Sequence, residues 1–124
     1  MTVDSWDLDK FLSGLGHMQS MAPKLLQLFV HGAQSKVDHL QAALQDNNIE
    51  AIAQLVHSIK GTASQVQCVT LAHIAVEIEH TISAGHAELI EAQCQRLITQ
   101  ALLDIQQIQT YLNSVETTLN SKAP

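Results

Sequence analysis

His57 is followed by Lys60 three residues on and by Gly61 four residues on, in the run His57-Ser58-Ile59-Lys60-Gly61-Thr62-Ala63. In a helix those offsets set an imidazole, an ammonium and a bare piece of backbone side by side. A neutral imidazole nitrogen is a competent nucleophile near neutral pH. Carrying a phosphoryl group it would gain about two negative charges, which Lys60 and the hydroxyl of Thr62 or Ser64 could stabilise. Gly61 is the odd residue, because a mid-helix glycine costs about 0.5–1 kcal/mol relative to alanine. No break is needed there. Its missing side chain leaves room for another molecule to approach the ring.

On a wheel of 100° per residue the His57 face also holds Glu50, Ala53, Lys60, Gly61 and Ser64. The apolar stripe Ile52, Val56, Ile59, Ala63, Val66 is centred about 210° away. His57 is therefore expected to face solvent. Six other histidines are present (His17, His31, His39, His73, His80 and His86), and a surface histidine without a role is the plain alternative for His57 as well.

The elements that must position these residues are helices. The chain has 124 residues, 46% of them hydrophobic but only 3% aromatic, and about 100–150 residues is the common size of one domain. Residues 5–14 are predicted to form a short helix capped by Asp4 or Ser5 and stopped near Gly14 and Gly16. Pro23 suits the first turn of a long helix over 22–45, whose stripe is Leu26, Phe29, Ala33, Val37, Leu40, Leu44. Asp46-Asn47-Asn48 breaks the chain, and a third helix over 48–67 carries His57. Thr70 is the expected cap of a fourth helix over 70–84, lined by Leu71, Ile74, Ala75, Ile78 and Ile82. The last and longest helix, 87–120, follows Ile90, Cys94, Leu97, Ala101, Ile105, Ile108, Leu112, Val115 and Leu119. Four amphipathic helices with short loops can bury their stripes only against each other. The fold class is all-α: an antiparallel up-and-down four-helix bundle with a short additional N-terminal helix, one domain over 1–124.

Charge excludes some functions. Six basic against twelve acidic residues give a net charge of −6, with no basic patch to neutralise phosphates, so nucleic acid is not an expected partner. No apolar run reaches the roughly 18–20 residues of a membrane span, and the N-terminus has no signal-like pattern. Cys68 and Cys94 match no metal spacing and fit idle thiols of a reducing cytoplasm.

The segment His57 to Ala63 resembles the signature of histidine-containing phosphotransfer (HPt) domains: histidine, any residue, an aliphatic, lysine, glycine, then small residues. His-Ser-Ile-Lys-Gly is similar to the form found in the phosphotransfer domain of chemotaxis histidine kinases. The resemblance spans residues 8–115, with an aliphatic helix and acid-Asn turn before the motif and a Leu-Ala helix after it. It implies His57 as the phosphoryl-accepting residue through Nε2, Lys60 as the phosphate-side cation and Gly61 as the access glycine. It further implies Glu79, on the following helix, as the group contacting the histidine. A carboxylate accepting from Nδ1–H would fix the tautomer and raise the nucleophilicity of Nε2. A solvated surface acid is the alternative for Glu79. Two departures stand out. Gln67 replaces the glycine many members have ten residues after the histidine, and Val76 replaces a second histidine of the chemotaxis kinases.

The resemblance implies a phosphocarrier relaying phosphate between receiver domains, one of a hybrid histidine kinase and one of a response regulator. It would need no cofactor of its own, since Mg²⁺ would come from the receiver. No Gly-x4-Gly-Lys-Ser/Thr loop or glycine-rich ATP signature is present, so no kinase activity is expected. Docking is expected over Ala53, Gly61, Ser64, Ala72 and Val76. The protein is expected to be a free, cytoplasmic monomer. Two other readings stay open: a non-catalytic helical bundle with a degenerate site, and a metal-binding bundle. For the latter, Glu77-x-x-His80 has half of a di-iron spacing, but Glu77 and His80 are expected to face outward, and with His73 they could at most gather a surface metal.

Overall fold

A computed structural model describes residues 6–121 of the chain, with side chains through Glu116. Five α-helices follow one another: α1 (Leu8–Leu15), α2 (Ala22–Gln45), α3 (Ile49–Gln65), α4 (Val69–Ser83) and α5 (Ile90–Ser121). Short 3₁₀ segments at Gly16–Met21 and Ala87–Leu89 lead into α2 and α5. Helices α2 to α5 pack in a closed ring, α2 on α3, α3 on α4, α4 on α5 and α5 on α2. That is an up-and-down bundle, with α1 folded back against the entry to α2.

The predicted stripes form the core. Ile52, Val56, Ile59, Ala63 and Val66 are all buried, as are Leu71, Ile74, Ala75 and Ile78 of the facing helix. Pro23 stands in the first turn of α2, where its missing N–H is no loss. The Asp46-Asn47-Asn48 break is tight because Asn47 takes a left-handed φ of 51°. Asn48 then caps α3, its side-chain oxygen accepting from the Ala51 N–H.

Expected boundaries move in four helices, among them α5, which begins at Ile90 rather than at 87 because residues 87–89 wind as a 3₁₀ turn. The α1 cap is Asp7, whose Oδ1 accepts from the Lys10 N–H at 3.0 Å, and Asp4 and Ser5 lie outside the described residues. Helix α3 ends at Gln65 and not Gln67. Gln67 lies just past the helix end with a φ of 67°, the left-handed conformation at which a glycine stops a helix without strain. Glutamine there meets a steric penalty of roughly 1–2 kcal/mol. Helix α4 starts a residue early, at Val69, with Cys68 at the cap position and no side-chain cap bond. Thr70 is inside the first turn.

Trp6 is buried and explains how the N-terminal end is fastened. Its indole N–H donates to the Val66 carbonyl at 3.0 Å, and the Asp7 N–H donates to the Gln67 carbonyl at 3.0 Å. Its ring meets Tyr111 of α5 edge-on at 5.8 Å. The turn after α3 is thus clamped from outside.

Candidate functional site

His57 sits midway along α3 with its side chain 71% exposed. Helices α3 and α4 are adjacent and antiparallel, so Glu79 of α4 comes level with the first half of α3 and reaches across the seam. Its Oε2 lies 2.9 Å from His57 Nδ1, and its Oε1 lies 2.7 Å from Lys60 Nζ. One carboxylate therefore bridges an imidazole and an ammonium that stand a turn apart on the neighbouring helix. The hydrogen bond to Lys60 first, then that to His57, hold the Glu79 carboxyl below its ordinary range, against the opposing effect of burial. An ionised carboxylate can only accept. The proton between the two groups belongs to Nδ1, and in the neutral ring Nε2 carries the free lone pair. Glu79 is a structural partner of the ring rather than a solvated acid.

Beside the ring, Lys60, Gly61 and Ser64 of α3 face Val69, Ala72, His73 and Val76 of α4 across a shallow groove that ends at Gln67. Val69 and Val76 are exposed apolar side chains there, and Ala72 is almost covered. A Cβ built on Gly61 would meet nothing within 4 Å. Internal packing does not demand glycine at this point. The same holds for Gly14 and Gly32, so what distinguishes Gly61 is its place next to the imidazole. Ala53 lies half-buried one turn before His57.

Of the expected hydroxyls, Thr62 is not brought to the ring. It lies about 140° round the helix from His57, donates to the Ser58 and Ile59 carbonyls and lines a separate apolar groove with Phe11, Leu25 and Phe29. Ser64 shares the His57 face but sits about 10 Å along the axis, its hydroxyl donating to the Lys60 carbonyl. Sequence reasoning missed Val69 and His73 as groove residues. Their spacing with Ala72 and Val76, in steps of one, three and four, is the signal that would have found them.

Outside this face, Glu77 pairs with Arg96 at 3.1 Å. Among the described residues no group of three or more His, Cys, Asp or Glu side chains is placed to hold a metal. Both cysteines are buried. Burial pushes the Cys94 thiol up to about 11, and burial followed by the charge and hydrogen bond of Asp104 pushes Cys68 higher still. Asp104 itself is fully buried in α5 and accepts from the Gln100 side chain at 3.1 Å. It occupies the apolar stripe one turn after Ala101, where the periodic pattern gives it no distinction. No helix among the described residues is long and apolar enough to cross a membrane.

A four-helix bundle that presents one exposed, carboxylate-oriented histidine is the architecture of a histidine phosphotransfer module. Comparison with known proteins agrees. The Hpt domain family matches residues 24–118, most of the chain, and the chain belongs to that family. It is a histidine phosphotransfer protein of the two-component phosphorelay class. Similar in structure is histidine-containing phosphotransfer protein B (HptB) from Pseudomonas aeruginosa PAO1, with a TM-score of 0.81 at 23% identity over 91% of this chain and 98% of that one. Another is the HPT domain of a sensor hybrid histidine kinase from Shewanella, with a TM-score of 0.80 at 18% identity over 89% of this chain and 95% of that one. At those identities the likeness concerns the fold. Among curated proteins no sequence matches.

Proposed function

We propose that His57 is the phosphoryl acceptor, taking the group on Nε2 from a phospho-aspartate in the receiver domain of a hybrid histidine kinase and passing it to the receiver of a response regulator. The observation that carries this is the Glu79 carboxylate on Nδ1 of an exposed ring. It holds the proton on the inner nitrogen and leaves the outer one free to attack. Lys60 shares the Glu79 carboxylate with the ring and serves the phosphoryl oxygens. We place the Mg²⁺ that shields the transferring group in the receiver, because the carboxylate beside His57 already has both oxygens engaged. The carrier works without a kinase centre, as a monomer, in the cytoplasm where its thiols stay reduced.

The groove beside His57 is the docking face, offering Gly61, Ser64, Ala72 and Val76, with Ala53 at the other side of the ring. Recognition there rests on shape and apolar contact. Incubation of wild type and His57→Gln with a phosphorylated receiver domain tests the assignment. Acid-labile phosphate should appear on the wild type and not on the variant, and equal labelling would move the chemistry to another residue. Gly61→Gln tests the docking face. It should slow transfer from a protein donor while sparing transfer from a small phosphodonor. Equal slowing with both would mean that Gly61 serves the ring and not the partner.

A further inference from the structure

Glu79 holds two partners at once, and phosphorylation changes the charge on only one of them. One carboxylate oxygen accepts from Nδ1–H and the other from the Lys60 ammonium, and the ring that attacks is the neutral form, since only that form has a free Nε2 lone pair. The consequence for this cluster rests on His57 being the phosphoryl acceptor. In the transfer step the Nε2 lone pair forms the N–P bond while the P–O bond to the partner's aspartate breaks. That aspartate leaves with the electron pair as a carboxylate. No proton moves, so Nδ1 keeps its hydrogen. The ring becomes cationic, and the phosphoryl oxygens carry two negative charges.

The electrostatics of the cluster then rearrange. Glu79 faces a cation at Nδ1 where it faced a neutral donor, so its bond to the ring strengthens. Lys60 faces a choice between one carboxylate, now neutralised by the ring, and a dianion on the same helix face. Its ammonium ends a flexible four-carbon stem, and about a third of the side chain is open to solvent. That stem lines the shallow α3–α4 groove with Gly61 and Ser64.

We propose that Lys60 changes partner on phosphorylation, leaving Glu79 for the phosphoryl oxygens while Glu79 remains on Nδ1–H. The cluster is an ion-pair exchange. Glu79 is a positioning residue with two opposed effects: it readies Nε2, and it competes with the phosphoryl group for the lysine. That competition limits how tightly the phosphoryl group is held, which suits a carrier that must give it up again.

A double-mutant cycle on the transfer equilibrium tests this, using one receiver domain that labels the wild type as donor throughout. Lys60→Gln is made in the wild type and in Glu79→Gln, and the phosphorylated fraction at equilibrium is measured for all four proteins. If the Lys60–Glu79 pair breaks on phosphorylation, wild-type Lys60 gives back part of what it gains. Lys60→Gln should then lower the equilibrium constant about fivefold more in the Glu79→Gln background than in the wild type, the ratio expected for a partly exposed pair. A loss on Lys60→Gln that appears only in the Glu79→Gln background, with none in the wild type, would mean that the pair persists, and equal losses in both would mean that the pair does not compete with the phosphoryl group; either overturns the exchange while leaving His57 as acceptor. The wild type supplies a second readout that needs no variant. The nitrogen NMR signal of the Lys60 ammonium should shift on phosphorylation, and an unmoved signal overturns the exchange. Failure of His57 to label at all would instead remove the acceptor assignment and the exchange with it.

Discussion

Two carboxylates in this bundle, Glu79 and Asp104, occupy opposite environments. Glu79 lies at the α3–α4 seam with two cationic or ring partners and an opening to water. Asp104 is fully buried on α5, with a thiol and an amide as partners. The first sits where its bonds can be remade at little cost, because solvent screens and replaces them. The second sits where a lost hydrogen bond has no water to replace it. Chemistry is assigned to the wet carboxylate, and architecture to the dry one. Asp104 holds Cys68 at the start of α4, the same turn that Trp6 and Asp7 clamp from outside.

The contrast can be broken most sharply at the acceptor. His57→Gln should abolish acid-labile phosphate while leaving the urea midpoint nearly unchanged, since the ring is exposed. Asp104→Ala should do the converse, lowering stability by about 2–3 kcal/mol as buried donors lose their acceptor. The folded fraction should still label at the wild-type rate, and a large loss of rate would mean that the two carboxylates are coupled. The thiols share this dry interior. Their raised values mean that the native state keeps protons the unfolded chain releases, so stability should be full below about pH 9 and fall as pH rises toward 11. Cys94→Ala should flatten that alkaline limb, by roughly 2–3 kcal/mol at its end.

Glu79 gives the next effect. Glu79→Gln should slow phosphorylation about five- to thirtyfold, the worth of one charge-assisted hydrogen bond expressed in the transition state, with stability changed by less than about 1 kcal/mol. A variant that unfolds but labels normally would reverse the assignment. Because the Glu79 carboxyl is held below its ordinary 4.5, its contribution to stability is complete above that pH and is lost as pH falls through the lowered value. The smallest effect concerns backbone. Gln67→Gly should stabilise by up to about 1 kcal/mol by relieving the left-handed residue, measured by urea denaturation. A loss of stability would mean that the glutamine side chain holds more of the turn than its backbone strain costs.

Much of this protein was legible in its residues. The three-four spacing of apolar side chains marked all four bundle helices, because an amphipathic stripe has one stable solution. The exposure of His57 followed from the same wheel, and its neighbours Lys60 and Gly61 from offsets within a single helix. Local boundaries were read less well: Asp7 and Cys68 took the cap positions expected of Asp4 or Ser5 and of Thr70, because tertiary bonds from Trp6 and Asp7 set where those helices begin. Asp104 could not be recognised from its neighbours, since whether a polar residue in an apolar stripe is tolerated depends on the partners other helices bring. The same is true of the site itself. Periodicity placed Glu79 near the seam of its helix, but only the register between α3 and α4 decides which two side chains its carboxylate can reach at once, and register is a property of packed surfaces and not of either helix's sequence alone.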